Sequence, residues 1–354
     1  MTIAPPLQLI VGPAGHGVVA YAADVASMLR SLDSRTGVAR VEAVTDAMDI
    51  AHDASRVHLH VTDRLLGRSP EEAAQNLERL AALTRLTLTV HDVPQTSDGT
   101  ALTRRISAYT RFLVAAHATA VNSRHEQLLV EEFLPSAPAP HAIPLGSRRA
   151  VSPPQPGASG ECDADESSPR SLVILIAGYV YPGKGHAQAI KAAADAGRSL
   201  RAAGEAVGEV VVLAIGGSSA GHDGDVAVLR ADAERRGVRF EMTGFLADDI
   251  FAARIAEDGI PLAAHEHVSA SRSMLDWMEA GRRPLVVASR YAEEMGLLRP
   301  GTIALYEPAR LASRLVQAWR EPARTWLEPG VRLAPTLVDA AEAYLAWWAG
   351  ADPR

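Results

Sequence analysis

Ser171-Leu-Val-Ile-Leu-Ile-Ala-Gly-Tyr-Val-Tyr-Pro-Gly-Lys-Gly-His186 sets the pattern for the whole chain. The run from Leu172 to Ala177 is uninterruptedly apolar, as in a strand buried on both faces. Gly178, Pro182, Gly183 and Gly185 then turn the backbone, and helical spacing resumes after His186. Upstream, Leu7–Val11 is closed by Gly12-Pro13, and Val18, Tyr21, Val25 and Leu29 follow at helical intervals. Val57–Val61, Leu86–Val90 and Ala118–Val121 repeat the strand signal, with helices around 70–83, 100–113 and 123–133. Downstream strands fall at Glu209–Ile215, Val238–Met242, Ile260–Ala264, Pro284–Ala288 and Thr302–Leu305, and helices at Arg310–Arg320 and Pro335–Trp348 close the chain. Alternation of this kind predicts an α/β protein of parallel sheets covered by helices on both faces.

Composition bounds what such a chain can do. Its 354 residues suit two domains, and 47% hydrophobic with 22% charged residues is a globular balance. A net charge of −7 argues against a nucleic-acid or anionic-membrane footprint. The single cysteine, Cys162, excludes an internal disulfide and a cysteine-based zinc site. The N-terminus has no basic stretch leading into an apolar one, and no apolar run reaches 18 residues, so the expectation is a cytoplasmic protein without a transmembrane segment.

The expected organisation is a Rossmann-like domain at 1–146, a linker at 147–170, a second Rossmann-like domain at 171–330 and a C-terminal helix at 331–354. The linker is expected because Pro, Gly, Ser and acidic residues there cannot build a core; the Asp163-Ala-Asp165 pair reads as solvated acid. Ligands of open parallel sheets bind at the carboxyl ends of the strands, so the chemistry is expected there.

Four constellations stand there. Lys184 is conspicuous, because the chain has 33 arginines and only two lysines. Flanked by glycines before a helix, it can meet a phosphate beside free N–H groups; the alternative is a surface turn, and the P-loop spacing is absent. His265-Glu-His-Val-Ser-Ala-Ser271-Arg272-Ser273 also joins a strand to a helix. Its hydroxyls either help to hold an anion or cap the helix, and Arg272 offers a bidentate cation. His265 and His267 lack a third converging ligand, so no metal site is expected. Gly12-Pro-Ala-Gly15-His16-Gly17 lets backbone approach a ligand without matching a dinucleotide fingerprint. Finally, His58-Leu-His60-Val-Thr-Asp63 and His91-Asp92 end two strands; His58 reads as structural, His91 as a hydrogen-bonding group facing a ligand.

In this order these residues resemble the family 4 glycosyltransferases of GT-B type. The family pattern is carried by Gly15–Gly17, His91-Asp92, Val121-Asn-Ser123, Pro144-Leu-Gly146, Gly178…Lys184-Gly185, Thr243-Gly244-Phe245 and Leu275-Asp276-Trp-Met-Glu-Ala-Gly281 with Pro284-Leu-Val-Val287. The resemblance spans nearly the whole chain and implies two Rossmann-like domains facing a central cleft, with the last helix returning to the first domain. It implies a retaining hexosyltransferase, most like actinobacterial mannosyltransferases that use GDP-mannose, with a saccharide acceptor, no tightly bound cofactor and room for Mg2+ with the diphosphate. The catalytic positions are His91, Lys184 and Arg272. Donor positions are Gly15, His16, Gly17, Gly178, Tyr179, Lys184, Gly244, Phe245, Val268, Ser271, Arg272, Ser273 and Asp276, and acceptor positions His60, Asp63 and Asp92. Lys184 matches the lysine that neutralises the donor diphosphate and Asp276 the acid that holds the ribose. The chain departs from the family where a glutamate falls at Val268, with Glu266 or His267 as substitutes, and where an arginine falls at Tyr179. One extra residue also separates Gly281 from Pro284. The rival readings are a non-catalytic two-domain binding protein and a GT-B nucleotide-sugar epimerase.

Overall fold

A computed structural model describes residues 4–148, 169–219, 221–265 and 270–351. Cys162, the 163–165 acidic pair, Glu266, His267 and Val268 lie outside them. The chain divides into two compact units, Met1–Arg148 with Ala334–Arg354, and Arg149–Leu333.

The first unit holds a six-stranded sheet of β1 (Leu7–Val11), β2 (Val38–Val41), β3 (Arg56–Val61), β4 (Arg85–Val90), β5 (Ala118–Val121) and β6 (His141–Ala142). Their order is β2-β1-β3-β4-β5-β6 and every pairing is parallel. The second unit holds β7 (Arg170–Ala177), β8 (Val207–Ile215), β9 (Arg239–Met242), β10 (Ile260–Ala263), β11 (Leu285–Val287) and β12 (Ala304–Tyr306), in the order β12-β11-β10-β7-β8-β9, again parallel throughout. Both are therefore doubly wound α/β sheets, as the alternation predicts.

The continuous apolar runs have a direct cause. In β7, Leu172, Ile174 and Ile176 face a core shared with Ala189, Ala193 and Ala196 of the helix His186–Ala202. The intervening Leu175 and Ala177 face the opposite side, where they pack with Ile255 and Trp277. Successive side chains point to opposite faces, and both faces are covered. In β1, Leu9 and Val11 enter one core while Ile10 joins Val19, Ala22 and Ala26 in another.

The last helix, Leu337–Ala351, belongs to the first unit and packs on the helix Gly17–Leu32. Tyr344 hydroxyl lies 2.8 Å from Thr89 Oγ1 of β4. Gly146 anchors the helix entry: a Cβ there would fall 2.5 Å from the Thr336 carbonyl, so only glycine lets these two backbones touch. Ser147 then exchanges hydrogen bonds with Pro335 O (3.0 Å) and Leu337 N–H (2.7 Å).

Three details differ from the sequence reading. β2 and the helix Val44–Asp53 carry too little apolar pattern to be read, because β2 is an exposed edge strand. β12 begins at Ala304, because Thr302 is held in the preceding turn, its hydroxyl donating to Arg299 O at 2.7 Å. The last helix, whose apolar side reads from the sequence as Leu337, Val338, Ala341, Tyr344, Leu345 and Trp348, leaves Val338 38% exposed and buries Ala340.

Candidate functional site

Each sheet has one place where strand order reverses, and there the loops leave in opposite directions and open a crevice. In the second unit this point lies between β7 and β10. The lysine turn follows β7, and Ala264-His265 follows β10. Gly185, at φ +91°, makes their contact possible: an added Cβ would come within 2.1 Å of the Ala264 carbonyl. It also forms the N-cap of the helix His186–Ala202 without a side chain to occupy the free N–H groups.

Lys184 is buried at 4% exposure. Its Nζ lies 2.6 Å from His265 Nε2 and donates to Ser273 Oγ at 3.2 Å. Gly178 lies against the ammonium, which stands 3.2 Å from where a Cβ would be. Burial pushes the lysine down to about 7, with Asp276 pulling the other way. Burial, then the Lys184 and His186 charges, push His265 well below the ordinary imidazole range. A neutral His265 therefore accepts from the ammonium through Nε2. This buried cation lacks a carboxylate within hydrogen-bonding distance among the described contacts, an arrangement that a ligand anion would stabilise.

A second helix, Arg272–Glu279, begins beside it. Ser271 caps it, Oγ accepting from Met274 N–H at 3.3 Å, while Ser271 N–H donates to Tyr291 hydroxyl at 3.0 Å. Ser273 Oγ stands 3.3 Å from Ser271 Oγ. Ser271 thus caps the helix, and Ser273 touches the lysine. Arg272 pairs with Asp276 at 2.9 Å and with Glu279 of its own helix, so much of its charge is compensated locally. Tyr179 and Phe245 are exposed at 42% and 77%, beside the ends of β7 and β9. Gly244 turns the chain after β9, and Gly216 N–H donates to Thr243 Oγ1 at 2.9 Å.

In the first unit the reversal lies between β1 and β3. The Gly15-His16-Gly17 turn follows β1. His16 caps the helix Gly17–Leu32, its Nδ1 accepting from Val18 N–H at 3.2 Å. His60 and His91 meet at the ends of β3 and β4, His60 Nδ1 lying 3.0 Å from His91 Nε2. Asn122 Nδ2 donates to His91 Nδ1 at 3.2 Å and to Glu126 Oε2 at 3.0 Å. With Nδ1 accepting, His91 carries its proton on Nε2 and donates to His60. Both ring nitrogens of His91 are therefore engaged. Burial is the main cause that pushes both rings well below their ordinary range, each lowered further by a neighbouring histidine, so both are neutral. His58 is held by Thr87 and Thr89 and packs edge-on to Tyr344, in keeping with a structural role.

Asp63 and Asp92 converge on Arg105, at 3.3 and 2.9 Å, with Asp98 as a third carboxylate at 2.5 Å. Tyr109 hydroxyl donates to Asp63 Oδ1 at 3.4 Å. Arg104, Arg105 and Arg124 read from the sequence as arginines that could meet an anionic group or as solvated surface residues; Arg105 is instead buried on its carboxylates. The spacing of Tyr109 and Glu126 along helices marks them only as part of amphipathic surfaces. His265 was weighed for a metal and proves to be the partner of Lys184. Among the described residues, no group of three or more His, Cys, Asp or Glu could hold a metal ion.

No family model matches the chain, and neither does any curated protein. Solved structures do. HepE from Anabaena, determined in complex with UDP and glucose, aligns over 96% of this chain and 95% of its own with a TM-score of 0.66 at 15% identity. Sucrose-phosphate synthase from Thermosynechococcus elongatus aligns over 98% and 93% with a TM-score of 0.64 at 14% identity. The lipopolysaccharide outer core galactosyltransferase WaaB, in its apo form, aligns over 97% and 98% with a TM-score of 0.57 at 10% identity. The chain has the GT-B fold. Within that GT-B frame, the strand reversal of the second unit carries the buried lysine and two helix starts, and that of the first carries the histidine pair. No helix among the described residues is long and apolar enough to cross a membrane.

Proposed function

We propose that this chain is a glycosyltransferase that moves a hexose from a nucleotide-diphosphate donor to a hydroxyl of a saccharide-type acceptor, with retention of anomeric configuration. The observation that carries the reading is Lys184, a buried ammonium placed between two helix starts at the strand reversal of a GT-B chain. In this reading the donor diphosphate lies on Lys184 and on the free N–H groups of the helices His186–Ala202 and Arg272–Glu279. The helix dipoles add positive potential at the same place. Arg272 contributes only what Asp276 and Glu279 leave uncompensated, so the leaving charge falls chiefly to Lys184. Tyr179, Gly244 and Phe245 border the nucleotide.

The acceptor lies on the first unit, near Asp63 and Asp92. His91 and His60 shape that wall as a neutral pair, since His60 and Asn122 leave His91 no free nitrogen for proton transfer. The acceptor proton then passes to the departing diphosphate as the sugar goes through an oxocarbenium-like state. Catalysis is charge stabilisation and positioning.

GDP-mannose is the donor that the sequence resemblance favours, and HepE, determined with UDP-glucose, makes that the second candidate. A thermal-shift panel of GDP, UDP, ADP and their hexose conjugates, with and without Mg2+, separates them. A ligand at 100 times its Kd adds about 2.7 kcal/mol. Stabilisation by GDP-mannose and GDP alone supports the first donor, and by the UDP pair the second. No shift with any nucleotide refutes the transferase reading and favours a binding protein for another ligand.

A further inference from the structure

The cavity that faces the ends of β3 and β4, wholly within the first unit, has a charge pattern that the transferase reading leaves unused. Its volume is about 410 Å³. That is near the lower end of small-molecule sites, roughly 300–1,000 Å³, and suits a monosaccharide-sized ligand better than a long glycan.

Its lining is divided. On one part, Asp63, Asp92 and Asp98 share the single guanidinium of Arg105. Three carboxylates against one cation leave oxygens able to accept from hydroxyl groups, and the Asp92 side chain is 59% exposed. On the other part stand Arg64 and Arg68. Neither side chain makes an ion pair or a hydrogen bond among the described residues, whereas the neighbouring Arg104 is held by Glu71 at 2.7 Å. The Arg64 charge also reaches the turn after β1: behind burial, it is the second cause that holds His16 below its ordinary range.

We propose that this cavity takes the acceptor, and that the acceptor is an anionic polyol, its hydroxyls on the carboxylate side and its carboxylate or phosphate on Arg64 and Arg68. This rests on the transferase reading for the word acceptor, but not for the charge preference. A neutral glycan would leave both guanidinium groups without a counterion. Planar guanidinium groups bind carboxylate and phosphate bidentately.

Calorimetric titration of the full chain with glucuronate, glucose 6-phosphate and glucose tests it. At least one anion is expected to bind roughly tenfold or more tightly than glucose, as one charge-assisted contact implies. Preference for glucuronate identifies a carboxylate acceptor and preference for glucose 6-phosphate a phosphate one. The double variant R64A/R68A is expected to abolish the preference while leaving nucleotide-induced stabilisation unchanged. Anions that bind no better than glucose, or a preference that survives the double variant, overturn the proposal. Anion binding without any nucleotide shift would sink the transferase reading and leave the anionic cavity standing.

Discussion

Replacing Lys184 by methionine sets function against stability, and the structure gives both magnitudes. In the free protein the ammonium is buried and lowered to about 7, against an ordinary value near 10.4 in the unfolded chain. The unfolded state therefore binds more protons between these values, and wild-type stability must rise with pH across that window. At pH 7 the linkage costs the folded state on the order of 4 kcal/mol, and at pH 9 about 2 kcal/mol. Methionine removes that cost but leaves His265 Nε2 without its partner, a loss of about 1–3 kcal/mol. K184M is thus expected to be more stable than wild type at pH 7 by about 1–3 kcal/mol, and the advantage should shrink by about 2 kcal/mol at pH 9. His265 is neutral throughout and does not contribute to the change. The assay is chemical denaturation of both proteins at pH 7 and 9, followed by nucleotide-sugar turnover. Turnover should fall by about 10²–10³, as for loss of a preorganised charge contact. A stability difference between the two proteins that does not change with pH would refute the electrostatic argument, and near-normal turnover would refute the assignment of the diphosphate to this lysine.

The other perturbations are more local. G185A should separate the lysine turn from the end of β10, because its Cβ would clash with the Ala264 carbonyl at a positive φ; melting temperature and nucleotide-induced stabilisation should both fall, and an unchanged nucleotide shift would contradict the contact. Acid should unfold the protein early. His58 and His186 are lowered to about 3, mainly by burial, so each contributes stability that is present above the unfolded value near 6.5 and lost as pH falls towards 3. Each costs about 2 kcal/mol at pH 5, and a melting temperature flat from pH 7 to 5 would show these rings to be solvated.

Much of the frame is legible in the chain because both faces of each central strand are covered. Leu172–Ala177 and Val210–Ile215 read as continuous apolar runs, as a strand buried on both faces requires. The edges escape the same reading. β2 alternates between exposed and half-buried residues and β6 is two residues long, so neither presents enough apolar surface to leave a pattern. Lys184 stands out by composition alone, since a lysine is rare against 33 arginines. Its partner does not: His265 is 81 positions away, and beside His267 it resembles half of a metal site.

The sequence by itself determined the alternation of strands and helices, the turns at their ends and the one lysine that stands between glycines at a strand end. These are local properties, written in the spacing of apolar residues and in glycine's access to positive φ. Tertiary structure alone decided the electrostatics. Lys184 has its pKa lowered because the fold buries it, with neutral His265 beside its ammonium, and His91 has no free nitrogen because the ends of β3 and β5 bring His60 and Asn122 to its two sides. Arg64 and Arg105 lie in the same cavity, one without an ion pair among the described residues and the other shared by three carboxylates. A side chain's charge state depends on burial and on neighbours distant in sequence, so it exists only once the sheet order is set.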